Sequence, residues 1–400
     1  MRPRPGENAS APAAPLRRAE LPGAETHRMR IPPILKILPA IGALFLAAGV
    51  PAQQKPAPPG IGPTSGPTWW FAVSGDSRNC GDVVMPGIAA GVQRDKAEFY
   101  WHLGDLRAIY NFDEDILHQP AYLRQPPSIS TYLSAAWPDF IRSQIEPFGA
   151  TPFFLGIGNH ETTPPKTRAD FLIQFADWLD SPELRAQRLK DDSSDHMLRA
   201  YFHWIQNGVD FINLDNATAD QFDAAQMAWF ERVLQADAAN SGVTSIVVGM
   251  HEALPDSIAW NHSMNQFVVG IASGRRAYAD LLKAQNEAHK HVYVLASHSH
   301  YYMGNIFNTA YWHEHGGVLP GWIVGTGGAI RYPLPPDAAN GLDPQTNVYG
   351  YLLGQVQQGG EIRFEFRKLE ESDIPAAVVQ RYDQEFVHWC FARNFTTAQP

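Results

Sequence analysis

Six short apolar runs in this chain end in polar residues, and five of those ends can do chemistry. WWFAVSGD ends at Asp76, EFYWHLGD at Asp105, TPFFLGIGNH at Asn159-His160, TSIVVGMH at His251, and HVYVLASHSH at His298 and His300, while VDFINLDN ends without a histidine. Taken singly, Asp, Asn and His are ordinary residues near turns. Taken together, carboxylate, amide oxygen and neutral imidazole form a ligand set suited to Fe, Mn or Zn. Two such cations held roughly 3.5–4 Å apart can grip phosphate oxygens during an in-line displacement. The first run continues into Arg78. Its planar fork of donors fits a phosphate, and fits equally a salt bridge to Asp82 or to another strand-end acid.

Each run has the length of a buried strand. Helical segments lie between them: FDAAQMAWFERVLQADA sets Met227, Phe230, Val233 and Leu234 along one face, and GRRAYADLLKAQNEAHK is similar. Strand–helix alternation predicts α/β layering with the helices outside a central sheet arrangement. In such folds ligands gather beyond the carboxyl ends of the strands, where these polar side chains stand. GYLLGQVQQGGEIRFEFRKL reads as a hairpin around Gly359-Gly360. Segments 106–150 and 162–205, rich in Pro and aromatics, read as irregular excursions that shape a binding site. Residues 371–400 read as a C-terminal helical extension.

With 44% hydrophobic and 18% charged residues in a 400-residue chain, a sizeable core is expected. A net charge of −10 argues against nucleic acid as a partner. Residues 1–52 read as an N-terminal extension and a secretory signal peptide: Met29 is the expected start, Arg30 and Lys36 supply the basic flank, Ile37–Ala48 is apolar, and cleavage falls after Ala52. The mature protein is then exported, with no stable membrane span; an uncleaved anchor is the other reading. A Pro/Gly-rich linker fills 53–68. In an exported chain Cys80 and Cys390 either pair or stay as two buried thiols. IVGTGGAIRYP (Ile323–Pro333) lacks the lysine of a phosphate-binding P-loop and reads as a close-packed loop beside the site. His313-Glu314-His315 reads as surface, and Asn216, Asn261 and Asn394 head glycosylation sequons. No nucleophile elbow and no Cys-x-x-Cys is present.

The order Gly-Asp, Gly-Asp, Gly158-Asn159-His160-Glu161, a lone strand-end His and then His-x-His resembles the calcineurin-like metallophosphoesterase family, which includes the purple acid phosphatases, over roughly Trp69–Leu369. The resemblance implies a four-layer α/β/β/α sandwich of two mixed sheets spanning 69–370. It implies two transition metals (Fe, Mn or Zn), with Asp105 bridging, Asp76 and His300 on the first, and Asn159, His251 and His298 on the second. His160 would attend the leaving oxygen. The implied activity is hydrolysis of small phosphate mono- or diesters by a metal-bound hydroxide.

Two departures bear on the first metal. Most members carry histidine where this chain has Arg78, which cannot ligate a cation, and the tyrosine that purple acid phosphatases place three residues after the second Gly-Asp is Ala108 here. Three outcomes follow: a first metal held weakly with water; a ligand supplied by Tyr110, His102 or Asp113-Glu114-Asp115; or one metal only. A non-catalytic or single-metal binding protein on the same scaffold is therefore the alternative to the enzyme. Ser297 also stands where the family has glycine before His-x-His.

Overall fold

Along Ser245–Met250 and His291–Ala296 the buried side chains alternate between two apolar cores. Ile246, Val248, Met250, Val292, Val294 and Ala296 belong to one, and Val247, Tyr293 and Leu295 to the other. A period of two with both faces covered is the signature of a strand in the interior of a layered fold. The computed structural model describes residues 68–259 and 262–398; the expected signal peptide, the linker through residue 67 and the sequon asparagine Asn261 lie outside the described residues.

The strands are β1 (Trp69–Ser74), β2 (Tyr100–His102), β3 (Phe153–Leu155), β4 (Phe202–Gln206), β5 (Val209–Asn213), β6 (Ser245–Met250), β7 (His291–Ala296), β8 (Tyr302–Gly304), β9 (Gly321–Val324), β10 (Leu342–Gln345), β11 (Tyr349–Val356) and β12 (Ile362–Leu369). They form two mixed sheets, ordered β12-β11-β1-β2-β3 and β10-β8-β9-β7-β6-β5-β4. β1, β2 and β3 are parallel, as are β5, β6, β7 and β9. All six expected strands are present, and the expected hairpin is β11–β12. The sheets face each other through aromatic side chains. Phe71 of β1 meets Phe211 of β5 edge-on at 4.9 Å, Phe154 of β3 stacks on Trp204 of β4 at 3.8 Å, and Tyr302 of β8 stacks on Phe366 of β12 at 4.2 Å. Outside, helices Ala224–Ala239 and Val268–Asn286 bury Phe230, Leu234, Tyr278 and Leu281 against β6 and β7. Helix Gly81–Arg94 covers β11 and β12. This is the expected α/β sandwich of two mixed sheets.

The excursions are more regular than their composition implies. Helix Ile129–Phe140 begins at Ser128, whose hydroxyl accepts the Thr131 N–H, and it carries a buried stripe of Tyr132, Ala136, Trp137 and Phe140 despite Pro138. Thr167 and Ser181 cap helices Arg168–Gln174 and Pro182–Asp191 in the same way. Helices Ala376–Tyr382 and Gln384–Ala392 follow β12. Cys80 and Cys390 are joined in a disulfide with Cα atoms 6.0 Å apart and a sequence separation of 310. Closing so long a loop removes denatured-chain entropy worth on the order of 5 kcal/mol. No helix among the described residues is long and apolar enough to cross a membrane.

His203 on β4 lies between two carboxylates, its Nδ1 2.8 Å from Asp210 and its Nε2 2.6 Å from Asp191. Burial disfavours a charged ring, but Asp210 and Asp191 raise it to about 10. A folded-state value above the ordinary one, about 6.5, stabilises the fold in full below that ordinary value and fades as pH climbs toward 10. Thermal melts of the wild type and His203→Gln should therefore differ most near pH 6 and converge by pH 10. A gap that widened with pH would show the ring to be neutral.

Candidate metal centre

The parallel strands deliver their carboxyl ends to one rim, where loops from both sheets interlock. The β1 loop hydrogen-bonds to the end of β9 through Gly75 N–H and Val324 C=O, at 3.1 Å, and His298 N–H donates to Asp76 Oδ2 at 2.7 Å. Asp76, Asp105 and His298 all hold left-handed backbone, with φ of +59°, +59° and +62°. Such conformations cost on the order of 1 kcal/mol or more each and persist where the surroundings enforce them. Here the enforcement is close packing. Gly104 has φ +99° and sits against the backbone of Gly158, where a Cβ would meet Gly158 N at 2.4 Å. A Cβ on Gly158 would in turn lie 2.3 Å from Asp105 Oδ1. Glu161 fastens the two loops by accepting the N–H groups of Gly158, Asp105 and Leu106 at 2.8–2.9 Å. The Ile323–Pro333 segment is the expected close-packed loop, with Gly327 N–H on Gly75 C=O and Ala329 N–H on Asp76 C=O.

Four donor atoms converge at the centre of the rim. His251 Nε2 is 3.0 Å from Asn159 Oδ1, 3.0 Å from His298 Nδ1 and 3.3 Å from Asp105 Oδ1. Among the described residues, ligand atoms of Asp105, His251 and His298 all lie within 4.8 Å of one another. The other nitrogen of His251, Nδ1, faces Leu103 C=O and Ser297 Oγ, each at 3.1 Å, which places its proton there and leaves the Nε2 lone pair turned inward. Ser297 thus helps orient His251. Asp105 Oδ2 and Asp76 Oδ1 are buried without a hydrogen-bond partner. Lone pairs facing one another, with buried carboxylate oxygens left over, fit a cation. Burial would raise the Asp105 carboxyl, but His160, His251 and Arg78 hold it well below the usual range. Burial opposes a charge on His251, whereas Asp105 raises its proton affinity to about 10. A metal competes with that proton for the same lone pair.

Asp76 and His300 stand beside this cluster. His300 Nδ1 faces Ile330 C=O at 2.6 Å, and its Nε2 lies 3.2 Å from Asp76 Oδ1. Arg78 reaches into the same space and is 6% exposed. It donates through Nη1 to His160 Nε2 at 2.5 Å and through Nη2 to His300 Nε2 at 3.1 Å, with Nε 3.8 Å from Asp105 Oδ2. The hydroxyls of Tyr110 and Tyr332 accept from it at 3.4 Å. No bridge runs from Arg78 to Asp82, which is taken by Arg107. His160 Nδ1 faces Ala108 C=O at 2.6 Å. Burial, reinforced by Arg78, pushes the His160 ring down to about 4 against the pull of Asp105.

Of the expected substitute ligands, His102 and Asp113-Glu114-Asp115 are occupied elsewhere. His102 is buried between Ser77 Oγ and the Gly104 N–H. Asp113 accepts from Asn79, Ala108 and Tyr132, Glu114 from Asn79, and Asp115 pairs with Arg107. Tyr110 is 64% exposed and reaches Arg78.

Other residues near the rim carry no motif. Tyr332 stacks on His300 at 3.9 Å, and the His262 ring lies 5.1 Å from His298 and 5.3 Å from Tyr332. Neither nitrogen of His262 has a hydrogen-bond partner among the described residues. Both residues line a cavity of about 660 Å³ that opens beside the centre. Beneath the centre, Arg107 is fully buried two residues past Asp105 and pairs with Asp82, Asp115 and Asp139.

No family model and no curated protein sequence matches this chain. Several solved structures are similar to it. A purple acid phosphatase from yellow lupin (Lupinus luteus) seeds is 15% identical with a TM-score of 0.48, over 78% of this chain and 53% of that one. PhoD is 14% identical with a TM-score of 0.47, over 79% and 73%. GAP50, the anchor in the inner membrane complex of Plasmodium, is 14% identical with a TM-score of 0.45, over 84% and 98%. The chain thus spans about half the length of the lupin phosphatase it matches.

Proposed function

We propose that this chain is an exported, metal-dependent hydrolase of phosphate esters. The observation that carries the reading is the convergence of Asp105, Asn159, His251 and His298 on one point, beside an immobilised arginine fork. Those four residues would hold the metal, which when bound acidifies water and neutralises phosphate oxygens. Arg78 offers a fixed positive charge and its unpartnered Nε–H to a phosphate placed against the cluster. His160 presents its Nε2 lone pair to the same space, 3.6 Å from Asp105 Oδ2, where it can pass a proton taken from water to the departing oxygen. In balance, one P–O ester bond breaks, a P–O bond to water forms, and a water proton ends on the alcohol. The adjoining cavity receives the alcohol portion. Its lining among the described residues includes Tyr301, Pro333, Pro335 and Asp337 but no Lys or Arg, which favours an uncharged group over a second phosphate. The Cys80–Cys390 disulfide supports export, because such bonds persist in oxidising compartments.

Purified protein should contain transition metal and cleave an aryl phosphate mono- or diester. Chelation should abolish turnover, and Mn, Fe or Zn should restore it. Protein that binds none of these metals and turns over neither ester would leave the non-catalytic reading in its place.

A further inference from the structure

We infer that the Arg78 guanidinium takes the place of the first metal of the two-metal arrangement, so that each chain holds one metal ion. The inference rests on the metal-dependent reading above and deepens it. A first metal would draw on Asp76, His300 and Asp105. Of the atoms that would bind it, His300 Nε2 already accepts Arg78 Nη2–H at 3.1 Å, and Asp105 Oδ2, though without a hydrogen bond, is faced by Arg78 Nε at 3.8 Å. A cation on His300 Nε2 would sit roughly 2.1 Å along the same lone pair, inside the volume of the guanidinium. It would also meet a fixed like charge at close range in a buried site, where repulsion is weakly screened. Arginine cannot relieve this by losing its proton.

Nor is the side chain free to withdraw. His160, His300, Tyr110 and Tyr332 all accept from it, and Tyr332 is itself stacked on His300. The residue that removes the family's histidine ligand thus also fills the space that ligand would have served. The second cluster is untouched. Asp105 Oδ1, Asn159, His251 and His298 converge with no arginine nitrogen among them. The phosphate would still meet two positive centres, one a metal and the other a guanidinium held rigidly enough to spare the cost of ordering it on binding.

Metal content measured after loading with excess Mn or Zn and desalting tests this. The wild type should hold one equivalent per chain, and Arg78→His, which restores an imidazole at that position, should approach two. With Mn, the variant alone should show the spin coupling of a close metal pair. Two equivalents in the wild type overturn the inference, as does a folded Arg78→His protein that stays at one. If Arg78→His does not fold, His300→Gln decides: retention of the single equivalent supports the inference and its loss overturns it. A wild type that binds no metal would overturn the proposed function as well, and so is distinguishable from the two-metal result.

Discussion

Replacing His251 with alanine is expected to release the metal and lower kcat/KM on an aryl phosphate by about 10²–10³-fold or more, the scale of losing one electrostatic stabiliser of the transition state. His251 is the hub of the cluster: its Nε2 lies within 3.3 Å of Asn159, His298 and Asp105 together. It is fully buried at the end of β6, and its Nδ1 is held by Leu103 C=O and Ser297 Oγ, so the ring arrives already aimed. Because it faces no part of Arg78, its loss leaves the guanidinium and His160 in place. Metal content and kinetics should therefore fall together while the circular dichroism spectrum stays native. Full metal content, or activity within about threefold of wild type, would remove His251 from the centre and with it the ligand assignment.

Arg107→Met is expected to destabilise the fold by about 3–5 kcal/mol, the usual result of stripping the partner from a buried ion pair. Arg107 has no exposed surface and binds Asp82, Asp115 and Asp139, none of which can reach bulk water. Neighbours supply some relief: Gln144 and the Tyr382 hydroxyl donate to Asp82, and Arg142 binds Asp139. Even with Arg107 present, burial and Asp82 push the Asp139 carboxyl up to about 6. Without it, the carboxylates must take up protons or draw in water. Denaturant melts at neutral pH should show the midpoint falling sharply, with partial recovery under mild acid as the carboxyls are neutralised. A loss below about 1 kcal/mol would show that the acids are already protonated in the native state.

The strands and the polar residues at their ends are legible in the chain because burial on both faces imposes continuous apolar runs, and the residue after each run must enter the rim. The position of Arg78 is not legible. Whether it meets Asp82, a phosphate or the first metal's ligands depends on separations in space, and Arg78 and His300 are brought together by two different sheets. His262 and Tyr332 give no signal because they come from loops with no periodicity. The helices within 106–150 and 162–205 are masked by prolines, although the Ser and Thr caps that start them are visible. Asn216 and Asn394 show the limit of a sequon. Both side chains are buried and hydrogen-bonded, Asn216 to Glu252 and Asn394 to Gly328 and Tyr349, so neither is open to a glycan in the folded protein.

β1, which leads into Asp76 and Arg78, lies between β2 and β11, so the earliest strand of the described chain pairs with one of the latest. This has a consequence in time. During synthesis β2, β3, β6 and β7 emerge well before β11, and pairing across so long a separation is slow. The residues proposed as metal ligands on those four loops can gather while the edge of β1 is still open. The arm bearing the arginine is locked only when the last hairpin arrives and Cys390 reaches Cys80.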